Sequence, residues 1–137
     1  MKENKFPTGR RILVADDDEV NLAMILDMLS IHGHKVVTAR NGQEAVEMAM
    51  QHKPELILMD IRMPVMDGLE ATQRLRTMPE FANTPIIAFT ASTGCDAVER
   101  HIATGCTEHM AKPVQTKELF AVLKKYLSVE IISGASS

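Results

Sequence analysis

Four short apolar runs punctuate the chain: ILVA at 12–15, KVVTA at 35–39, ELILMD at 55–60 and PIIAFT at 85–90. The stretches ILVA, LILM and IIAF lack the apolar–polar alternation of a strand with one wet face. They therefore predict strands buried on both faces, as in a parallel sheet. A fifth run, CTEHMA at 106–111, is weaker. Between the runs the period becomes helical. Leu22, Ile25, Leu26 and Leu29 fall at i, i+3, i+4 and i+7, one apolar stripe of a helix. Ala45, Met48 and Ala49 repeat the spacing after the turn residues Asn41-Gly42. Leu69, Thr72, Gln73 and Leu75 follow Asp67, an expected N-cap, and Leu119, Val122, Leu123 and Tyr126 form the last stripe. Most of the ten methionines fall in these segments, where core filling is expected. The alternation is (βα) five times over, which predicts an α/β doubly wound fold with right-handed crossovers. Residues 10–128 are expected to form one domain, with flexible extensions at 1–9 and 129–137.

Bulk properties narrow the class without naming a chemistry. With 137 residues, 45% hydrophobic and 24% charged, the chain has the make-up of one globular domain. A net charge of −3 and the lack of a Lys/Arg block argue against nucleic acid or a membrane surface as partner. The polar opening MKENKFPTGRR is not a signal peptide, and no apolar run approaches the ~18 residues of a membrane span, so a cytoplasmic protein is expected. Cys95 and Cys106 do not form a C-x-x-C pair and read as reduced structural thiols. His32, His34, His52 and His101 show no metal-ligand spacing and read as solvated surface residues.

The chemistry is concentrated where the apolar runs end. In parallel α/β sheets ligands bind beyond the carboxyl ends of the strands. Run one ends in Asp16-Asp17-Asp18, run three in Asp60, run four in Thr90 and run five in Lys112-Pro113. Singly, each has a plain reading: a turn or cap aspartate, a satisfied strand threonine, a solvated lysine. Together they suit one task. Carboxylates of one sign, with a carbonyl and waters, make an octahedral oxygen site for Mg²⁺, and a hydroxyl and an ammonium beside it would contact phosphoryl oxygens. No glycine-rich phosphate loop accompanies them, so a nucleotide cradle is not expected.

The segments ILVADDDEVN, PELILMDIRMPVMDGLEA, PIIAFTAS and GCTEHMAKPV resemble the signature segments of receiver domains of two-component response regulators, in order and spacing, over residues 10 to 128. The resemblance implies a flavodoxin-like fold with five parallel strands in the order 2-1-3-4-5. It makes Asp60 the phosphoacceptor and Asp16 and Asp17 the acidic pair that holds Mg²⁺ (or Mn²⁺). The Asp60 carboxylate and the backbone carbonyl of Arg62 complete the protein ligands. Thr90 and Lys112 contact the arriving phosphoryl group, the Lys112-Pro113 bond is cis, and Asp67 is a structural cap. The implied partners are a sensor histidine kinase or histidine phosphotransfer protein. A downstream protein is expected on the face made by the fourth helix, fifth strand and fifth helix. Thr90 would switch that face, together with the residue three before the lysine. That position usually holds Tyr or Phe and here holds His109, so a pH-sensitive switch is one expectation.

Two other readings fit parts of the same sequence. Asp16-Asp17-Asp18-Glu19-Val20 matches D-x-D-x-[TV], the motif of haloacid-dehalogenase-like phosphatases, with Asp16 as nucleophile. That reading leaves Asp60, Thr90 and Lys112 unexplained. A receiver-fold interaction module that works without phosphorylation would leave the acceptor and metal positions unexplained as well. On the receiver reading the protein is a signalling phosphoacceptor, not an enzyme with a separate substrate. It promotes its own phosphorylation and the hydrolysis of its acyl phosphate.

Overall fold

The structure is a computed structural model, and residues 8–90 and 104–127 are described here. In chain order the elements are β1 (Arg11–Ala15), α1 (Glu19–Ser30), β2 (Lys35–Ala39), α2 (Gly42–His52), β3 (Leu56–Asp60), α3 (Gly68–Arg76), a 3₁₀ turn (Pro79–Phe81), β4 (Ile86–Thr90), β5 (Glu108–Ala111) and a C-terminal helix, α4 (Thr116–Leu127). The helix expected between the fourth and fifth strands, with Cys95 and His101, lies outside the described residues, as do residues 1–7 and 129–137 of the terminal extensions. All strand pairs are parallel and the sheet order is β2-β1-β3-β4-β5.

Side-chain alternation sorts the strand residues onto two cores. Ile12, Val14, Leu58, Phe89 and Met110 face Leu22, Ile25 and Leu29 of α1 and Leu119, Leu123 and Leu127 of α4. Leu13, Ala15, Ile57, Met59 and Ile86 face Ala45 and Ala49 of α2 and Ala71 and Leu75 of α3. All five residues of β3 and of β4 are buried, which is why their sequences run apolar without alternation. Each of the first three helices starts on an acidic or amide cap. Asp18 accepts from the N–H of Val20, Asn41 from Glu44 and Asp67 from Glu70, at 3.0, 2.8 and 2.8 Å.

Two sequence expectations are corrected. Gln73 is exposed, and the buried face of α3 is Gly68, Ala71, Thr72 and Leu75. Small residues lie inward because α3 starts hard against β3: a Cβ on Gly68 would sit 2.1 Å from the Asp60 carbonyl oxygen. His32 and His34 are half-buried rather than solvated. Gly33, at φ +67, turns the chain between them, the His32 ring packs edge-on to Phe120 with centroids 5.0 Å apart, and His34 Nδ1 accepts from the Arg10 N–H at 3.1 Å. Burial, then the like charges of His32 and Arg10, lowers the pKa of His34.

At the end of the sheet away from the acidic residues, one cation ties α3 to the starts of β4 and β5. Arg76 donates to the carbonyls of Phe81, Thr84 and Gly105 at 2.6, 2.8 and 2.9 Å, and to the Thr107 hydroxyl at 3.2 Å. Removing it strands several half-buried acceptors, each costing about 1–3 kcal/mol. Arg76→Leu should therefore lower the urea-unfolding free energy by roughly 3 kcal/mol or more, and Arg76→Lys should recover little, since an ammonium cannot span the same fork.

Candidate functional site

Register brings the polar residues together. Ala15 pairs with Met59, so the next residues along β1 and β3, Asp16 and Asp60, stand side by side at the carboxyl edge. Asp60 pairs with Phe89, and Thr90 with Ala111, which sets Thr90 and Lys112 one strand and two strands further across. The Lys112 N–H donates to the Thr90 carbonyl at 3.0 Å, and the Lys112–Pro113 peptide is cis. Carboxylate oxygens of Asp16, Asp17 and Asp60 all lie within 4.8 Å of one another. Lys112 Nζ is 3.2 Å from Asp60 Oδ2 and 3.5 Å from Asp16 Oδ2.

Burial makes this arrangement electrostatically demanding. Asp16 is 0% exposed, Asp60 3% and Thr90 6%, while Asp17 is open to solvent. Burial, then the Asp16 charge, raises the Asp60 carboxyl from 3.8 to about 6, against the pull of Lys112. At Lys112 burial favours the neutral amine, but Asp60 and Asp16 together outweigh it and the pKa is raised. One ammonium is thus shared by two buried acids. Three carboxylates against one ammonium leave a formal charge of −2, the complement of a divalent cation. The donor set is all oxygen, which fits a hard ion such as Mg²⁺.

Asp16 is the best-anchored member. Its Oδ1 accepts from the Asp18 N–H at 2.9 Å, and its Oδ2 from the Asn21 side-chain amide. The sequence reading missed Asn21. It occupies the buried face of α1 beside Leu22 and Ile25, and a lone amide in an apolar stripe was the available signal. Asp18 and Glu19 open α1, as cap and first residue. Arg62 is exposed on the loop after Asp60, and Asp67 caps α3 outside the acidic trio. His109 is half-buried and pairs with Ala88, so it shares a sheet face with Ala88 and with Thr90 two residues on.

Residues 12–124 match the family model described as the response regulator receiver domain. The chain belongs to the receiver-domain family of response regulators. It is 34% identical over 118 residues to the polar-differentiation response regulator DivK of Brucella anthropi, covering 86% of this chain and 96% of that protein. Among solved structures it resembles the receiver domain of a sensor histidine kinase from Pseudomonas aeruginosa, a structure with magnesium coordinated in the active-site cleft (TM-score 0.81, 34% identity, 87% of this chain and 98% of that one). It is also similar to the receiver domain of a Saccharomyces cerevisiae response regulator, Ssk1, crystallised with the histidine phosphotransfer protein Ypd1 (TM-score 0.83, 27% identity, 90% of this chain and 91% of that one). The family's fold is the flavodoxin-like one found here, and membership displaces the phosphatase reading. A receiver is a phosphoacceptor of two-component signalling rather than a conventional enzyme. Among the described residues no helix is long and apolar enough to cross a membrane.

The raised Asp60 pKa has a consequence for stability. The folded protein holds a proton on Asp60 that the unfolded chain releases, so folded stability should fall as pH rises from about 4 to about 6 and then level off. The metal-free loss should be about 2–3 kcal/mol. Urea denaturation across this range should show Asp60→Asn free of most of the fall, and more stable than the parent at pH 7.

Proposed function

We propose that the protein is a cytoplasmic phosphorelay receiver in which Asp60 accepts a phosphoryl group from a phosphohistidine on a sensor kinase or phosphotransfer protein. The observation that carries this is the Asp16–Asp17–Asp60 trio, closed on one side by Lys112. Asp16, Asp17, Asp60 and the Arg62 backbone carbonyl would hold Mg²⁺ (or Mn²⁺). When bound, that ion supplies positive charge to the transferred phosphoryl oxygens. The chain's own residues do the rest. An Asp60 oxygen attacks phosphorus in line as the bond to the donor histidine nitrogen breaks, and the imidazole leaves with the electron pair. A pKa of about 6 leaves the carboxylate the main form at neutral pH. Lys112 pairs with a phosphoryl oxygen, and the Thr90 hydroxyl contacts another.

The acquired charge is the signal. Thr90 stands on the sheet face that His109 shares, so movement of Thr90 toward the phosphoryl group bears on His109 and the surface beside β5, where the downstream protein would dock. Two exposed apolar side chains stand at the same carboxyl edge as Asp60: Val20, 79% exposed on the first turn of α1, and Val65, 82% exposed on the loop after the acceptor. They suit docking of the donor protein around the acceptor.

Treatment with acetyl phosphate and Mg²⁺, followed by peptide mapping, should place the label on Asp60 and nowhere else. Lys112→Ala should slow labelling by about two orders of magnitude. Val20→Glu should slow transfer from a phosphohistidine donor yet leave labelling by acetyl phosphate unchanged. Label on Asp16, or none that depends on Mg²⁺, would overturn the proposal.

A further inference from the structure

The loop from Ile61 to Asp67 leaves the acceptor, carries Arg62 and ends at the cap of α3. It is closed at its base, where the Gly68 N–H donates to the Ile61 carbonyl at 2.9 Å. Near its tip the Met66 N–H donates back to the Pro64 carbonyl at 2.7 Å, a three-residue turn with Val65 at φ +69. That is the γ-turn region disfavoured for residues with a Cβ, and valine is branched there. The Val65 side chain is 82% exposed, so its own burial does not compensate for this conformation. Something else must hold the turn.

The holding contact comes from α2. The N–H of Gly42, the first residue of that helix, donates to the Met66 carbonyl at 2.7 Å. This is one of the amides that a helix N-terminus leaves without an internal acceptor. The approach is so close that a Cβ on Gly42 would stand 2.2 Å from the Met66 oxygen and 2.8 Å from the Asp67 oxygen. Both obstacles are backbone, so no side-chain rotation relieves them. Asn41 fixes the helix start, accepting from the Glu44 N–H at 2.8 Å, while the Glu44 carboxylate accepts from the Arg40 N–H at 2.9 Å. Met66 is buried in the same core cluster as Ala45 and Val46 of α2.

We infer that Gly42 is a positioning residue for the metal-binding loop: the α2 N-terminus clamps the backbone at Met66, holds the strained turn at Val65, and thereby sets where the Arg62 segment lies relative to Asp60. This rests on the receiver reading above, in which that segment supplies a carbonyl ligand. Glycine is required for close approach, not for an unusual φ. A residue that orients a ligand from outside its shell is expected to change metal affinity by about 10–100-fold when lost.

The test is the Mg²⁺ dissociation constant, by titration calorimetry, of the parent, Gly42→Ala, Gly42→Ala with Val65→Gly, and Leu29→Ala as a destabilised control in the other core. Gly42→Ala should weaken Mg²⁺ binding at least about tenfold. Its Asp60 labelling by acetyl phosphate should be slow at low Mg²⁺ and recover at saturating Mg²⁺. Adding Val65→Gly, which lets the turn shift without strain, should restore part of the affinity, and Leu29→Ala should bind as the parent does. Folded Gly42→Ala with parental affinity would overturn the inference, as would equal weakening in Leu29→Ala. Should Gly42→Ala fail to fold, absence of any affinity change in Asn41→Ala, which loosens the α2 start that carries the Gly42 N–H, would overturn it equally. A parent that binds no Mg²⁺ would instead overturn the receiver reading on which the inference rests.

Discussion

Two buried carboxylates share one ammonium, and much of the molecule is arranged around that imbalance. Asp16 and Asp60 both approach Lys112 Nζ, and neither has water enough to spread its charge. The interior answers in the two ways open to it. It raises the proton affinity of Asp60, and it leaves a solvent-facing carboxylate, Asp17, where a cation can enter. Such a site stores free energy in the metal-free fold, because a pair of like charges is held together by the sheet rather than by mutual attraction.

The sheet imposes this through register. Parallel pairing of β1 with β3 sets Asp16 beside Asp60, and pairing of β4 with β5 sets Thr90 beside the start of the Lys112 segment. The strands cannot slip to relieve the repulsion, since their side chains are committed to two apolar cores, one on each face. Asp16 is locked further by Asn21 and by the backbone of Asp18, so the helix following β1 also works against relaxation. The loop after β3 adds a strained turn, tied to the start of α2.

How much of this was legible beforehand follows from what each residue type can signal. The positions of β1, β3 and β4 were readable because runs buried on both faces have no alternation to confuse them. The acids, Thr90 and Lys112 were readable because they end those runs. Strand order was not contained in the pattern, which fixes how many strands there are but not which lie side by side; it came with the family resemblance. Gln73 was misplaced because Gly68 and Ala71 carry little hydrophobic signal, although small size is what lets α3 approach β3. His32 and His34 were misread because their neighbours come from elsewhere in the chain: Phe120 packs against His32, and the Arg10 N–H donates to His34. Asn21 could have been suspected from its place in an apolar stripe, but its partner is defined only once β1 and α1 are packed.

Asp60 is held with too little positive charge nearby, and a divalent cation would complete the site. The direct measurement is the titration of the Asp60 side-chain carboxyl carbon by NMR, with and without Mg²⁺. Without metal the midpoint should lie at about 6, and with saturating Mg²⁺ it should move well down toward or below the ordinary carboxylate range. A metal-free midpoint at the ordinary 3.8, unmoved by Mg²⁺, would contradict it.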